Sequence, residues 1–134
     1  MTLSLYARRA VLATVRSLVD AGGGGALLFY EGFPPAQPEM PPGGSPCFSI
    51  ALAVPCGEVS DLDGFALLQL TVPRVNLVAN TGIVGWARLV DAAGVGIRDW
   101  PVTDDPEEQY GLVMSQLQVY AGGEASLVSA AIYL

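Results

Sequence analysis

The sequence contains no histidine and no lysine, only two cysteines, and few charged or aromatic side chains. Each shortage removes a class of chemistry. Without histidine, the usual base beside a serine or cysteine nucleophile is missing. Without lysine, Schiff-base and Ser–Lys schemes are excluded, as is the lysine of a phosphate-binding loop. Six arginines stand against thirteen acids, a net charge of −7. That balance argues against a nucleic-acid binder, which needs a basic stripe to neutralise phosphates, and against docking on an anionic membrane. No apolar run reaches about 18 residues, so no membrane-spanning helix is expected. Leu3 to Val19 is interrupted by Arg8, Arg9 and Arg16 and lacks the order of a secretory leader. Synthesis and retention in a cytosol is expected, or export as part of something larger.

The cysteines are Cys47 and Cys56. If both lie on one strand, about 3.3 Å per residue sets them roughly 30 Å apart. A disulfide needs Cα atoms within about 7 Å. Two free, buried or half-buried thiols are therefore expected. Two cysteines without histidine do not make a zinc site in one chain.

What the chain does have is apolar surface. Hydrophobic residues make up 51% of 134 positions, and the mean hydropathy is +0.45. One domain of this length cannot hide so much apolar area, and exposed apolar patches mark protein–protein contacts. An assembling, non-enzymatic homo-oligomeric subunit is expected.

One helix is predicted over Leu3 to Ala21. Leu5, Leu12, Val15, Leu18 and Val19 form its apolar stripe, with Arg8, Arg9 and Arg16 off it. Gly22 to Gly25 stops the helix and makes a hinge, so the helix is expected to sit apart or to pack on a neighbour. Residues 1–25 are read as helix and hinge, and residues 26–134 as a β-domain. Strands are expected at Ala26–Glu31, Cys47–Pro55, Phe65–Val72 and Arg74–Ala79, with an acidic turn region at Gly57–Gly64. Gly32 to Pro46 holds six of the ten prolines and reads as an extended surface arm, either an ordinary long surface loop or, the favoured reading, a segment that reaches across to a neighbour. Thr81–Val102 is a hairpin turning near Asp91–Gly94, and Leu112–Leu134 is another around Ala121–Glu124. Thr103–Tyr110 is a charged loop between them. The fold class expected is all-β: a sandwich or jelly roll of about eight antiparallel strands with one N-terminal helix.

Remaining chemistry is carboxylate chemistry. Asp61 and Asp63, or Asp104, Asp105, Glu107 and Glu108, have the makings of a paired-acid or calcium site. Solvated turn residues are the favoured reading, and no cofactor or metal is expected. On the first hairpin, strict alternation puts Val84, Trp86, Arg88 and Val90 on one side and Ile83, Gly85, Ala87 and Leu89 on the other. If Asp91 pairs with Val95, Trp86 faces Trp100 and Arg88 faces Arg98. Two readings of that side stand: a Trp/Arg contact surface, or two core tryptophans with arginines capping the edge. The candidate interface residues are Trp86, Arg88, Arg98 and Trp100, with Phe33, Pro34 and Pro35 of the arm and Arg8 and Arg9 of the helix.

Several stretches carry a resemblance. They are the Arg-bearing helix ending Val-Asp-Ala-Gly, Leu27-Leu28-Phe29-Tyr30-Glu31-Gly32-Phe33-Pro34-Pro35-Ala36, and Thr81 to Asp91 with its Asp-Ala-Ala-Gly turn. Val119-Tyr120-Ala121-Gly122-Gly123 and a Ser/Ala-rich last strand complete the set. In this order they resemble a loose family of tailed-bacteriophage virion proteins of the head-decoration or cement type. The stretch Glu39 to Pro46 lengthens the arm beyond the usual family pattern. The resemblance implies a β-sandwich subunit, located in the virion, whose partners are the major capsid protein and copies of itself. A second reading is a tail- or fibre-associated module that binds a cell-surface glycan through Trp86, Trp100 and nearby acids.

Overall fold

The computed structural model describes residues 3–108 and 111–134. The last two positions of the expected charged loop, 109–110, lie outside the described residues. One helix, α1 (Leu5–Asp20), is followed by a 3₁₀ turn at Ala21–Gly23. Ten strands follow among the described residues: β1 (Ala26–Glu31), β2 (Phe48–Ala51), β3 (Gly57–Leu62), β4 (Phe65–Leu70), β5 (Val75–Leu77), β6 (Gly82–Val90), β7 (Gly96–Thr103), β8 (Leu112–Met114), β9 (Gln118–Val119) and β10 (Glu124–Tyr133). The chain is thus mostly β with one N-terminal helix.

The strands follow one curled path, β2-β1-β6-β7-β8-β10-β4-β3, with β5 joined to β10 and β9 to β6. β7 and β8 run parallel (Val102 opposite Leu112), whereas the other ladders are antiparallel. The sheet is mixed, which corrects the expectation of antiparallel strands alone. The single path also differs from the two separate layers of a jelly-roll sandwich.

Residues 57–62 form a strand, not the acidic turn that Glu58 and Asp61 suggest. They pair along their whole length with Leu70–Phe65 of β4. Asp63 (φ 52°) and Gly64 (φ 82°) make the two-residue turn between them, the left-handed pair a tight hairpin requires. Glu58 projects from the outer side, whereas Asp61 shares the side of Val59, and Gly57 passes against β4, where a Cβ would collide with the Gln69 carbonyl.

The helix begins at Ser4, whose hydroxyl accepts from the Ala7 N–H at 3.1 Å. Leu12 and Val19 are fully buried in the common core, with Leu5 and Val15 packed at its margin, while Leu18 turns to solvent. So α1 is part of the body, lying on β3 and β4. The glycine run is equally well seated. Gly24 closely approaches the Leu52 carbonyl and Gly25 the Val90 carbonyl, and Leu52 donates back to Gly25 at 3.0 Å. These glycines serve as a close-packed corner in place of the expected hinge. The core joins Leu27, Phe29, Phe48, Leu68, Leu89, Met114, Leu127 and Ile132, with Phe29 and Phe48 stacked at 4.2 Å.

Candidate functional site

The β6–β7 hairpin decides which of the predicted residues meet. At its turn, Asp91 Oδ1 accepts from Ala93 and Val95 N–H groups at 3.0 and 2.9 Å. Val90 lies opposite Gly96, the register expected from the turn. The register then shifts, with Leu89 opposite Arg98, Arg88 opposite Asp99, Ala87 opposite Trp100 and Trp86 opposite Pro101. Ile97 is the extra residue of a β-bulge. On the other edge of β6, Tyr30 pairs with Trp86 but Glu31 with Val84, so Gly85 is a second extra residue. Its bare Cα makes room for the Gly32 carbonyl. A one-residue slip exchanges the faces of a strand. Val84, Ala87 and Leu89 therefore share the core, and Trp86 and Arg88 take the opposite side. This corrects the expected Trp86–Trp100 and Arg88–Arg98 pairings.

Trp86 is 1% exposed. It stacks on Tyr30 with centroids 4.6 Å apart, and its Nε1 donates to the Glu31 carbonyl at 3.3 Å. The Arg88 guanidinium lies 5.3 Å from the indole centroid. It grips Asp99 with two bonds, Nε to Oδ1 at 2.7 Å and Nη2 to Oδ2 at 3.0 Å. Nη1 donates to the Met40 carbonyl at 2.6 Å. The Asp99 carboxylate, more than any other influence, pushes the Arg88 pKa further up. Burial raises the Tyr30 phenol, with Arg88 opposing and Asp99 reinforcing. Met40 belongs to the proline-rich arm, and the Pro38 carbonyl of the same arm sits against Gly96. The arm therefore folds back over its own sheet and roofs Trp86 and Arg88, where the sequence suggests a reach to a neighbour. The reason is chemical: the guanidinium, with Asp99 satisfying two of its N–H groups, needs another acceptor once buried.

Trp100 is 6% exposed and belongs to the core. Its Nε1 is buried without an acceptor among the described residues. Arg98 is half-buried, and burial lowers its pKa, with Tyr133 acting in the other direction. Arg98 and Trp100 line a small cavity of about 170 Å³ together with Thr103, Leu112 and Tyr133. The four predicted hairpin residues thus divide into a roofed pair and a cavity pair. Neither tryptophan offers an open face, so the reading of both as a sugar platform is corrected as well.

The remaining candidates separate by exposure. Phe33 is 92% exposed, Pro34 is exposed and Pro35 half-buried. Arg8 is a clamp within the chain: its Nη1 donates to the carbonyls of Gly64 and Leu134 at 3.0 and 2.9 Å. Arg9 reaches Asp61 at 3.6 Å with both side chains about half exposed, a pair of little energetic weight. Among the described residues no group of three or more possible metal ligands comes together. Cys47 and Cys56 are both buried free thiols. Burial, reinforced by Asp20, pushes Cys56 up to about 12.

Two surfaces were not singled out in the sequence. Val75 and Leu77, two apart on β5, point to solvent at 53% and 74% exposure, with Val128 of the adjoining β10 at 59%. Tyr120, in the turn bonded to Val78 through Gly122 and Gly123, is 65% exposed. The sequence signal is the alternation Val75-Asn76-Leu77, whose outward residues lie opposite Ser126 and Glu124 of β10. The second surface is a groove of about 480 Å³ beside α1, lined by Tyr6, Arg9, Ala10, Ala13, Arg16 and Val59. No protein-family model, curated protein or solved structure matches this chain.

Proposed function

We propose that this chain is a non-enzymatic structural subunit of a tailed-bacteriophage virion, decorating or cementing the capsid shell. It would pack against the major capsid protein and against copies of itself, assembled in the host cytoplasm. The observation that carries this reading is the outward cluster of Val75, Leu77 and Val128 on β5 and β10, open to solvent beside Glu124 and Ser126. Large apolar side chains on a sheet face favour a partner surface, at roughly 25 cal/mol per Å² of apolar area buried. On a lattice, many weak contacts of this kind add through avidity. In this reading the curled sheet stands for the jelly-roll-like domain that the family resemblance implies. The acidic balance limits adhesion between particles and to nucleic acid.

The test is sedimentation of purified chain with empty capsid shells. Wild-type chain is expected to co-sediment. Val75→Asp with Leu77→Asp is expected to release it while leaving the unfolding midpoint nearly unchanged, since both side chains are exposed. A wild-type chain that ignores every shell and remains single would overturn the proposal.

A further inference from the structure

The arginines are unevenly placed. Three of the six, Arg8, Arg9 and Arg16, lie on α1. Arg88 is locked onto Asp99 and Arg8 onto two main-chain carbonyls. Arg9 and Arg16 remain on the wall of the groove beside α1. Arg9 holds Asp61 only loosely at 3.6 Å in solvent, and Arg16 makes no ion pair among the described residues. The floor is built from Ala10 and Ala13, which let another backbone approach closely. Tyr6, 86% exposed, stands at the side. The groove lies beside β3, the last strand of the sheet path, which among the described residues pairs only with β4. Tyrosine and arginine are among the residues enriched at interface centres.

The opposite charge is concentrated elsewhere. Asp104, Asp105 and Glu107 are exposed on the loop after β7. The loop holds its shape: Asp105 Oδ1 accepts from Glu107 N–H at 2.9 Å, and Thr103 Oγ1 accepts from Asp105 N–H at 3.1 Å. Pro106 stiffens it further, so little entropy is lost when it docks. In a chain of net charge −7, two copies repel unless basic and acidic patches meet.

We infer that the α1 groove binds the acidic loop at residues 103–108 of a second copy, Arg9 and Arg16 pairing with Asp104, Asp105 and Glu107. This inference rests on the reading of the chain as an assembling subunit, and supplies the self-contact of that assembly. The exchange closes into a two-fold pair if each loop enters the other's groove, and propagates if it does not. Charge pairing of this kind fixes orientation and is weakened by salt.

The experiment is analytical ultracentrifugation of three purified chains and one mixture. Wild-type chain is expected to self-associate at low salt, with association at least about tenfold weaker in roughly 1 M salt. Arg9→Glu with Arg16→Glu is expected to abolish association, because an acidic groove then meets an acidic loop. Asp104→Lys, Asp105→Lys and Glu107→Lys together are expected to abolish it as well. An equimolar mixture of the two variants is expected to restore it, since each groove then meets a loop of opposite sign. That restoration also shows that both variants are folded. Association unaffected by either charge reversal, a mixture that stays dissociated, or a wild-type chain that is single at low salt overturns the inference. Shell co-sedimentation of the same samples separates the two ideas. Wild-type chain that binds shells but ignores charge reversal sinks only the groove, and exchange pairing without shell binding sinks only the capsid reading.

Discussion

Arg88 and Asp99 face one another across β6 and β7 and are joined by two hydrogen bonds of 2.7 and 3.0 Å, with both side chains under a tenth exposed. The pair is oriented by the backbone register, flanked by Trp86, and closed from above by the carbonyl of Met40. A buried guanidinium whose partners are supplied by a strand on one side and an arm on the other joins two parts of the chain that are distant in sequence.

Removing one member leaves the other charge buried and unpaired. Asp99→Ala is expected to lower unfolding stability by about 3–5 kcal/mol. Arg88→Met with Asp99→Leu is expected to cost less than Asp99→Ala alone, because no charge is then stranded. Urea unfolding of both variants checks this, and a double variant less stable than the single one would contradict it.

Trp86 is a buried side chain, so Trp86→Ala is expected to cost about 3–5 kcal/mol in the same measurement. Gly96→Ala tests the roof itself. A Cβ there would collide with the Pro38 carbonyl, so the arm must lift from the hairpin. The expected result is a red-shifted indole emission with the remaining sheet intact by circular dichroism. Emission identical to wild type would mean that the arm does not shield Trp86.

Arg8 ties the helix to the β3–β4 turn and to the last residue of the chain through Gly64 and Leu134. Arg8→Ala is expected to lose about 1.5–3 kcal/mol, the range for hydrogen bonds that involve a charged group. Amide exchange at Ala66, which donates to the Leu134 carbonyl at 3.0 Å, is expected to quicken. Unchanged protection at Ala66 would contradict the clamp.

Cys56 gives a pH dependence with a definite sign. Its pKa is raised to about 12 by burial first and by Asp20 next, so the folded chain holds the thiol proton where the unfolded chain releases it. The stability linked to this proton is complete below the ordinary thiol range near 9 and is lost as pH rises towards 12. Tyr30, whose phenol is also pushed up, adds to the decline at the upper end. Cys56→Ala is expected to flatten the fall in unfolding free energy between those limits, measured as a slope against pH. An equal slope in both chains would rule out this assignment. In the native chain Cys56 is also expected to resist alkylation until the protein unfolds, because the thiolate is the reactive form.

Much of the secondary structure was legible, and the reasons are local. The stripe Leu5, Leu12, Val15, Val19 fixed the helix to within two residues at its start, and Asp91 to Gly94 announced the hairpin turn. The strand at 57–62 escaped because its side facing α1 carries Gly57, Val59 and Asp61, too little apolar signal to read as a strand. The candidate site was legible only as a list of residue types. Alternation counted through β6 and β7 assumes that no residue is added, and Gly85 and Ile97 are added ones.

The amino-acid order alone determined that the chain is β-rich, carries one N-terminal helix, holds an acidic surplus and lacks histidine and lysine chemistry, because these depend on neighbours a few positions apart. Which faces the tryptophans and arginines take, whether the proline arm lies on its own sheet, and where apolar side chains meet water were decided by tertiary structure. Bulges at Gly85, Ile97 and Val128 and one buried guanidinium contribute to those outcomes, and each depends on residues brought together from far along the chain.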